Sequence, residues 1–257
     1  MNQKSLAELA DIISDEHLRQ RIAPHPGDGL YLHLSDLLLV LRAHATDAKL
    51  DILDFGAGSS PYRSLFPQAN YRRADFAIGT GAGLDFVLDE SLLVAAPDKT
   101  FDLVLSTQVL EHVVEPEKYL RECLRLLRPG GKLVLTTHGI YADHPCPFDL
   151  HRWTADGLAA LCKKSGFEVV TVNKLTVGPR ALLFLYDTHG RSLHRRAFSL
   201  FSALFAIYYR FHCCFRPAIH RWVDCFFPNS RVVPNKPGTN DIYINLLIEA
   251  VKPVSHD

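Results

Sequence analysis

Apolar and polar positions along the 257-residue chain repeat in two rhythms, and each predicts an element. Leu6, Leu9, Ile12 and Ile13 recur at helical spacing with Glu8, Asp11 and Asp15 between them, which predicts an amphipathic helix over 5–22. Pro24, Pro26, Gly27 and Gly29 break it, and Leu34, Leu37, Leu38 and Leu41 open a second helical stripe over 30–46. Short apolar runs then take over. Residues 50–54, 70–76 and 101–106 read as strands, the last apolar on both faces (Phe101, Leu103, Val104, Leu105) and therefore central in a sheet. A helix is expected near 60–66, ending at Pro67, and a short alternating strand over 84–89, after Gly79, Gly81 and Gly83. Pro116 suits the first turn of a helix over 116–128 with Leu120, Cys123, Leu124 and Leu127 inward, stopped by Pro129-Gly130-Gly131. Strand 132–137, a helix over 155–165 capped by Thr154 and closed by Gly166, strand 167–172 and a last strand over 241–251 complete the series. The pattern is that of one α/β domain with an elaboration.

Composition changes this picture at one place. Hydrophobic content of 47% supports a sizeable core, and a formal net charge of zero implies no global field for a polyanion. Residues 178–238, however, hold nine Arg and Lys against Asp187 and Asp224, and 12 of the 26 aromatic residues. Within that basic segment Phe198, Phe201, Phe205 and Tyr208 line one face of a helix over 197–211, too short before Arg210 for a span of about 20 residues. Either this helix lies on an anionic membrane surface, the contact running through 191–227, or it packs within the protein or on a second subunit. Six cysteines show no C-x-x-C spacing, and the polar, acid-containing start does not read as a signal peptide, so a reducing, cytoplasmic setting without disulfides is expected, with or without membrane association.

The chemistry is concentrated after the first strand. Ile52-Leu53-Asp54-Phe55-Gly56-Ala57-Gly58-Ser59-Ser60-Pro61 is an apolar run ending in an acid and two glycines one residue apart, a turn where backbone approaches a ligand. Asp75 follows Asp54 by 21 positions, where an acid at the end of a second strand grips ribose hydroxyls. The third glycine of the dinucleotide fingerprint is absent, because Ser59-Ser60-Pro61 stands in its place. In an open α/β sheet ligands sit outside the strand carboxyl ends, which brings Gln108, after the central strand, to the crevice mouth.

Residues 52–58, with Phe101-Asp102-Leu103-Val104-Leu105-Ser106, Val109-Leu110-Glu111-His112-Val113 and Leu127-Arg128-Pro129-Gly130-Gly131, resemble in order the core of class I S-adenosylmethionine-dependent methyltransferases of the type 11-like kind, over roughly 48–175. His144-Pro145-x-Pro147-x-Asp149-x-x-Arg152-x-Thr154 extends the resemblance to a bacterial subgroup that often acts on saccharides or lipid-linked precursors. The resemblance implies a Rossmann-like, doubly wound, seven-stranded sheet of order 3-2-1-4-5-7-6 with the last strand antiparallel. On it, 1–47 is an N-terminal helical cap, 48–177 with 239–252 the methyltransferase core, and 178–238 a helical insertion. It implies S-adenosyl-L-methionine as cofactor, held by Asp54, the backbone of Gly56, Ala57 and Gly58, Asp75 and Phe76 at the ribose, Asp89 and Glu90 near adenine, and Gln108. The acceptor expected is a small molecule, a saccharide or a lipid-linked compound, with no nucleic acid.

The loop 138–153 reads as a lid over that acceptor. His144 or His151 takes its proton, and Arg152 pairs either with an anionic acceptor group or, internally, with Asp149. The loop's spacing fits no metal motif, so no metal is expected. The Glu111-His112 pair reads either as a base at the crevice or, the preferred reading, as capping and packing of the loop before Pro116. The competing classes are an NAD-dependent oxidoreductase, which the missing glycine opposes, and a non-catalytic S-adenosylmethionine-binding scaffold, which would not need this lid.

Overall fold

A strand buried on both faces lies inside a sheet, and two strands buried along nearly their whole length pair side by side within it. They are β1 (Asp51–Phe55) and β4 (Phe101–Thr107). The computed structural model of the chain describes residues 16–76, 83–145, 147–196 and 200–254. Flanking these central strands are β2 (Asn70–Phe76), β3 (Phe86–Leu88) and β5 (Leu127–His138), all parallel, then β6 (Glu168–Val177), β7 (Val232–Pro234) and β8 (Tyr243–Val251). The order is β3-β2-β1-β4-β5-β8-β6-β7, with β8 antiparallel to both β5 and β6. The expected order is reproduced with one more strand than the sequence suggested. Three residues, ending in a proline, give no periodicity to read, and Pro234 is tolerated because β7 is an edge strand paired only with β6.

Helices cover both faces. α1 (Tyr31–Arg42) lays Leu34, Leu37, Leu38 and Leu41 on one face together with Tyr62, Phe66 and Tyr71. α2 (Pro116–Leu126) and α3 (Ala155–Lys164) cover the other with Leu120, Cys123, Leu158 and Cys162. Thr154 caps α3 by accepting from the Gly157 N–H at 3.1 Å. The helix expected over 60–66 is only a 3₁₀ turn, Arg63–Leu65. Pro61 and Pro67 leave room for little more than one turn between them, and Tyr62 and Phe66 are buried as plugs rather than as a helical stripe. Residues 16–22 are helical, while the remainder of the expected first helix lies outside the described residues, as do Gly79 and Gly81.

The basic segment forms two long helices, α4 (Pro179–Arg196) and α5 (Leu200–Phe226). They dock on the core through an apolar cluster of Leu32, Ala181, Phe184, Val223 and Ile244 and through buried polar contacts. Arg180, fully buried, donates to both oxygens of Asp36 in α1, at 2.9 and 3.0 Å, and to Asp224 in α5 at 2.7 Å. Arg231 adds a 2.7 Å bond to Asp36, and the Tyr31 hydroxyl donates to Asp224. A second knot lies between α4 and α5, where buried Asp187 accepts from His212 at 2.6 Å, His220 at 2.7 Å and Arg216 at 3.1 Å. The inner face of α5 is therefore packed within the protein, as one of the two readings held. Phe205 is half-buried and Tyr208 is exposed, while Phe198 and the Phe201 side chain lie outside the described residues.

Removing one partner of a buried ion pair strands the other charge, at a cost of about 3 kcal/mol or more. Arg180→Leu is therefore expected to lower the urea midpoint by that equivalent, and an unchanged midpoint would show that the helices dock through apolar contact alone.

Candidate active site at the carboxyl edge of the sheet

Parallel pairing brings the carboxyl ends of β2, β1 and β4 to one edge, with Asp54 level with Arg73 on one side and Leu105 on the other. The chain leaves β1 through a left-handed turn: φ is +79° at Gly56, +49° at Gly58 and +52° at Ser60. Gly56 is obligatory on space as well, since a Cβ there would lie 2.5 Å from Val109 Cγ2. Around Gly58 nothing would meet a Cβ within 4 Å, so that side of the turn is open. The Gly58 N–H donates to Asp75 Oδ2 at 2.6 Å and the Phe76 N–H to Oδ1 at 2.7 Å. A carboxylate has about four acceptor positions, so both oxygens of Asp75 keep capacity for further donors.

Two groups support the turn from beneath. Asp54 is buried and accepts from the Tyr71 hydroxyl at 2.7 Å, and burial pushes its carboxyl up to about 7. Tyr119 stacks on Phe55 and donates its hydroxyl toward the Phe55 carbonyl and Ser106, tying the ends of β1 and β4 together. Arg73 went unnoticed in the sequence and holds the turn from the side. Its guanidinium donates to the Gly58 carbonyl at 2.7 Å, the Ser60 hydroxyl at 2.8 Å and the Gly83 carbonyl at 3.2 Å. Only the register, which sets β2 beside β1, brings it there.

Gln108 follows β4 with φ +57°, a left-handed conformation rare outside glycine, held by its N–H to the Thr136 carbonyl at 2.9 Å. Its amide nitrogen donates to the Thr136 hydroxyl, and its amide oxygen is out of solvent without a partner. Asp89 and Glu90 follow the end of β3 and are exposed. The Asp89 carboxylate accepts from the Ser91 N–H at 2.8 Å and from the Ser91 hydroxyl, which holds it below the usual carboxylate range.

The loop after β5 folds around Glu111 and the Asp149–Arg152 pair. All five N–H groups of Arg152 are used: two on the Asp149 carboxylate at 2.7 Å, the others on the carbonyls of Tyr141, Ala142 and His151. Arg152 thus has no donor left for an anionic acceptor, which corrects that expectation in favour of the internal bridge. Its guanidinium holds the Asp149 carboxyl well below the ordinary range. His151 donates from Nε2 to the Val113 carbonyl at 3.0 Å and packs on Trp153, a positioning role. His144 is half-buried, with Nδ1 3.0 Å from the Ala142 carbonyl.

Two further histidines join it. His138 ends β5, stacked on Tyr141 at 3.9 Å with its ring 4.9 Å from that of His144. Buried Asn245 bridges His138 to His33 of α1. Burial pushes His33 down to about 3 and His138 well below the ordinary histidine range, so both are neutral. Beside them Leu30, Tyr141, Ala142, Phe184, Thr188 and His189 line a cavity of about 160 Å³. The insertion helix α4 contributes half of that wall.

Comparison with known proteins agrees with this arrangement. A family model for a methyltransferase domain matches residues 18–172. A ubiquinone biosynthesis O-methyltransferase of Parvibaculum lavamentivorans is 39% identical over 134 residues, 47% of this chain and 49% of its own, so the chain spans about half the length of that relative. A protein of the same name from Cereibacter sphaeroides is 38% identical over 219 residues, 76% of this chain and 83% of its own. Phosphoethanolamine N-methyltransferase 2 of Haemonchus contortus, solved with S-adenosyl-L-methionine, shares the fold at a TM-score of 0.51 and 17% identity, over 93% of this chain and 56% of that one. With a glycine turn after β1, an acid at the end of β2 and this sheet order, the chain belongs to the S-adenosylmethionine-dependent methyltransferase domain family.

Proposed function

We propose that the chain methylates an oxygen of a small, lipid-linked acceptor at the expense of S-adenosyl-L-methionine. The observation that carries the reading is the edge itself: an open glycine turn, an acid with spare acceptor capacity, and a buried amide oxygen of Gln108 that lacks a partner. An orphaned buried acceptor is costly, and a donor-bearing ligand there removes the cost. The residues fit the cofactor as follows. The backbone of Gly56, Ala57 and Gly58 receives the methionine end, Asp75 with Phe76 the ribose, Asp89 and Glu90 the adenine side, and Asp54 answers positive charge from below. When bound, S-adenosyl-L-methionine supplies a methyl group on a sulfonium cation.

The chain's own part is alignment, exclusion of water and proton removal. Tyr141 and Phe184 wall the acceptor cavity beside the histidines. His144 presents Nε2, because its Nδ1 proton is engaged by the Ala142 carbonyl, and that lone pair takes the acceptor hydroxyl's proton. An oxygen acceptor is favoured by the named activity of the two O-methyltransferase relatives. A lipid-linked one is favoured over a saccharide by the outer face of α5. Leu204, Ile207, Phe211, Phe215, Trp222 and Phe226 are all about half exposed or more, with Arg210 and Arg221 exposed among them. Such a face suits the surface of an anionic membrane, and no helix among the described residues is long and apolar enough to cross one.

Three outcomes are expected. Asp75→Ala weakens S-adenosyl-L-methionine binding at least tenfold, about 1.4 kcal/mol, in calorimetric titration; unchanged affinity removes the ribose assignment. Asp54 has a folded pKa above its unfolded value of about 3.9, so the folded apoprotein binds the extra proton and loses stability as pH rises from about 4 through 7, by up to about 4 kcal/mol. Asp54→Asn removes this slope from the urea midpoints, and a slope that survives the substitution belongs to another group. Labelled methyl transferred to fractionated cell extract appears in the lipid pool as a methyl ether; label confined to saccharide would replace the acceptor class, and none at all would end the catalytic reading.

A further inference from the structure

We propose that Glu111, His138 and His144 form a site for one divalent cation of the zinc class at the acceptor end of the crevice. One ligand atom from each lies within 4.8 Å of the other two. They come from three segments: the 3₁₀ turn after β4, the end of β5, and the loop beyond it.

The hydrogen bonds around the cluster fix which atoms carry lone pairs. A carbonyl oxygen only accepts, so His144 Nδ1, 3.0 Å from the Ala142 carbonyl, carries a proton, and in the neutral ring Nε2 is then the lone-pair atom. Likewise His138 Nδ1 faces the amide oxygen of Asn245 at 2.8 Å, while the amide nitrogen of Asn245 is occupied with His33. That leaves His138 Nε2 as a bare acceptor, and it lies 3.1 Å from Glu111 Oε1. Glu111 Oε2 accepts from the Thr137 hydroxyl at 2.8 Å, whereas Oε1 is fully buried and makes no hydrogen bond. With Glu111 ionised, two acceptors face one another in a dry site with no donor between them, and a cation held between the two would satisfy both. A metal ion satisfies both atoms and gains His144 as a third ligand.

The surrounding groups have the form of a metal's outer shell. Each ligating histidine donates its other ring N–H to an oxygen, which sets tautomer and ring orientation. Two imidazoles and a carboxylate are a known ligand set for catalytic zinc, and they leave a coordination position for water or an acceptor oxygen. Ligands around zinc stand roughly 3.3 Å apart, from bond lengths of about 2.0–2.1 Å. The half-exposed His144, carried on a loop, can close that gap. A second cluster, His112, His144 and Asp149, is less suitable, because Asp149 is spent on Arg152. With the ion in place, His144 would serve as a ligand instead of as the base, and an acceptor hydroxyl on the ion would be acidified enough to lose its proton to solvent water. That consequence rests on the acceptor assignment above; the binding of the ion does not.

The full chain, stripped with chelator and dialysed, is titrated with Zn²⁺ against a chromophoric competitor, and S-adenosyl-L-methionine affinity is measured on the same samples. One Zn²⁺ per chain, bound at micromolar or tighter Kd and not displaced by millimolar Mg²⁺, is expected. Glu111→Gln and His144→Ala are each expected to weaken it at least tenfold, and His25→Ala not at all. Absence of stoichiometric Zn²⁺, or His144→Ala binding as the parent does, overturns the site; a proton shared by Glu111 and His138 would give that result. Should Glu111→Gln fail to fold, as seen in its circular dichroism, His144→Ala decides alone. Zinc binding without cofactor binding would overturn the methyltransferase reading and leave the metal site standing.

Discussion

Parallel pairing of β1 with β2 and β4 is the constraint on which the site depends. Strands that run together end together, so three loops must leave one edge side by side. The loop after β1 has to turn at once, and it does so through left-handed backbone at Gly56, Gly58 and Ser60. Glycine takes this conformation without steric cost, but Ser60 does not. The charge-assisted bonds of Arg73 to the Gly58 carbonyl and the Ser60 hydroxyl, each of about 1.5–3 kcal/mol, offset the strain. Asp75 closes the arrangement from β2 through the Gly58 N–H.

The insertion helices belong to the same physical system. Their inner faces are fastened by charge rather than by apolar packing alone, with Asp36, Arg180, Asp224 and Arg231 in one knot and Asp187, His212, Arg216 and His220 in the other. Buried ion pairs of this kind contribute little net stability against apolar substitutes, but they allow one geometry and penalise others. That geometry places Phe184 against His33 and Tyr141, so α4 completes the wall of the cavity beside the histidines. It also turns the apolar side of α5 outward. The cavity wall and the exposed apolar face are therefore two sides of one docked hairpin.

Beside the cavity the chain gathers imidazoles whose Nδ1 atoms are already committed. His138, His144 and His112 each have Nδ1 set against an oxygen, and Glu111 is held with one oxygen unmatched. A neutral, oriented lone pair is what either a proton acceptor or a metal ligand requires. Arg152 serves this chemistry indirectly, since its five bonds give the loop the shape that presents His144.

Much of this could be read from residue order alone, because alternation and apolar runs report how each segment is buried, and burial on one face or two is a local property. The parallel strands, the helices capped by Pro116 and Thr154, the glycine turn and the spacing from Asp54 to Asp75 are of that kind. The chain as a string is silent on Arg73 beside Gly58, on Arg180 reaching Asp36 across 144 positions, and on Asn245 joining His33 across 212. It also overstated the segment between Pro61 and Pro67, where tertiary burial of Tyr62 and Phe66 prevailed over helical propensity. Periodicity carries no record of which distant polar groups will meet. That is decided only when strand register and helix docking bring them within hydrogen-bonding distance, away from water.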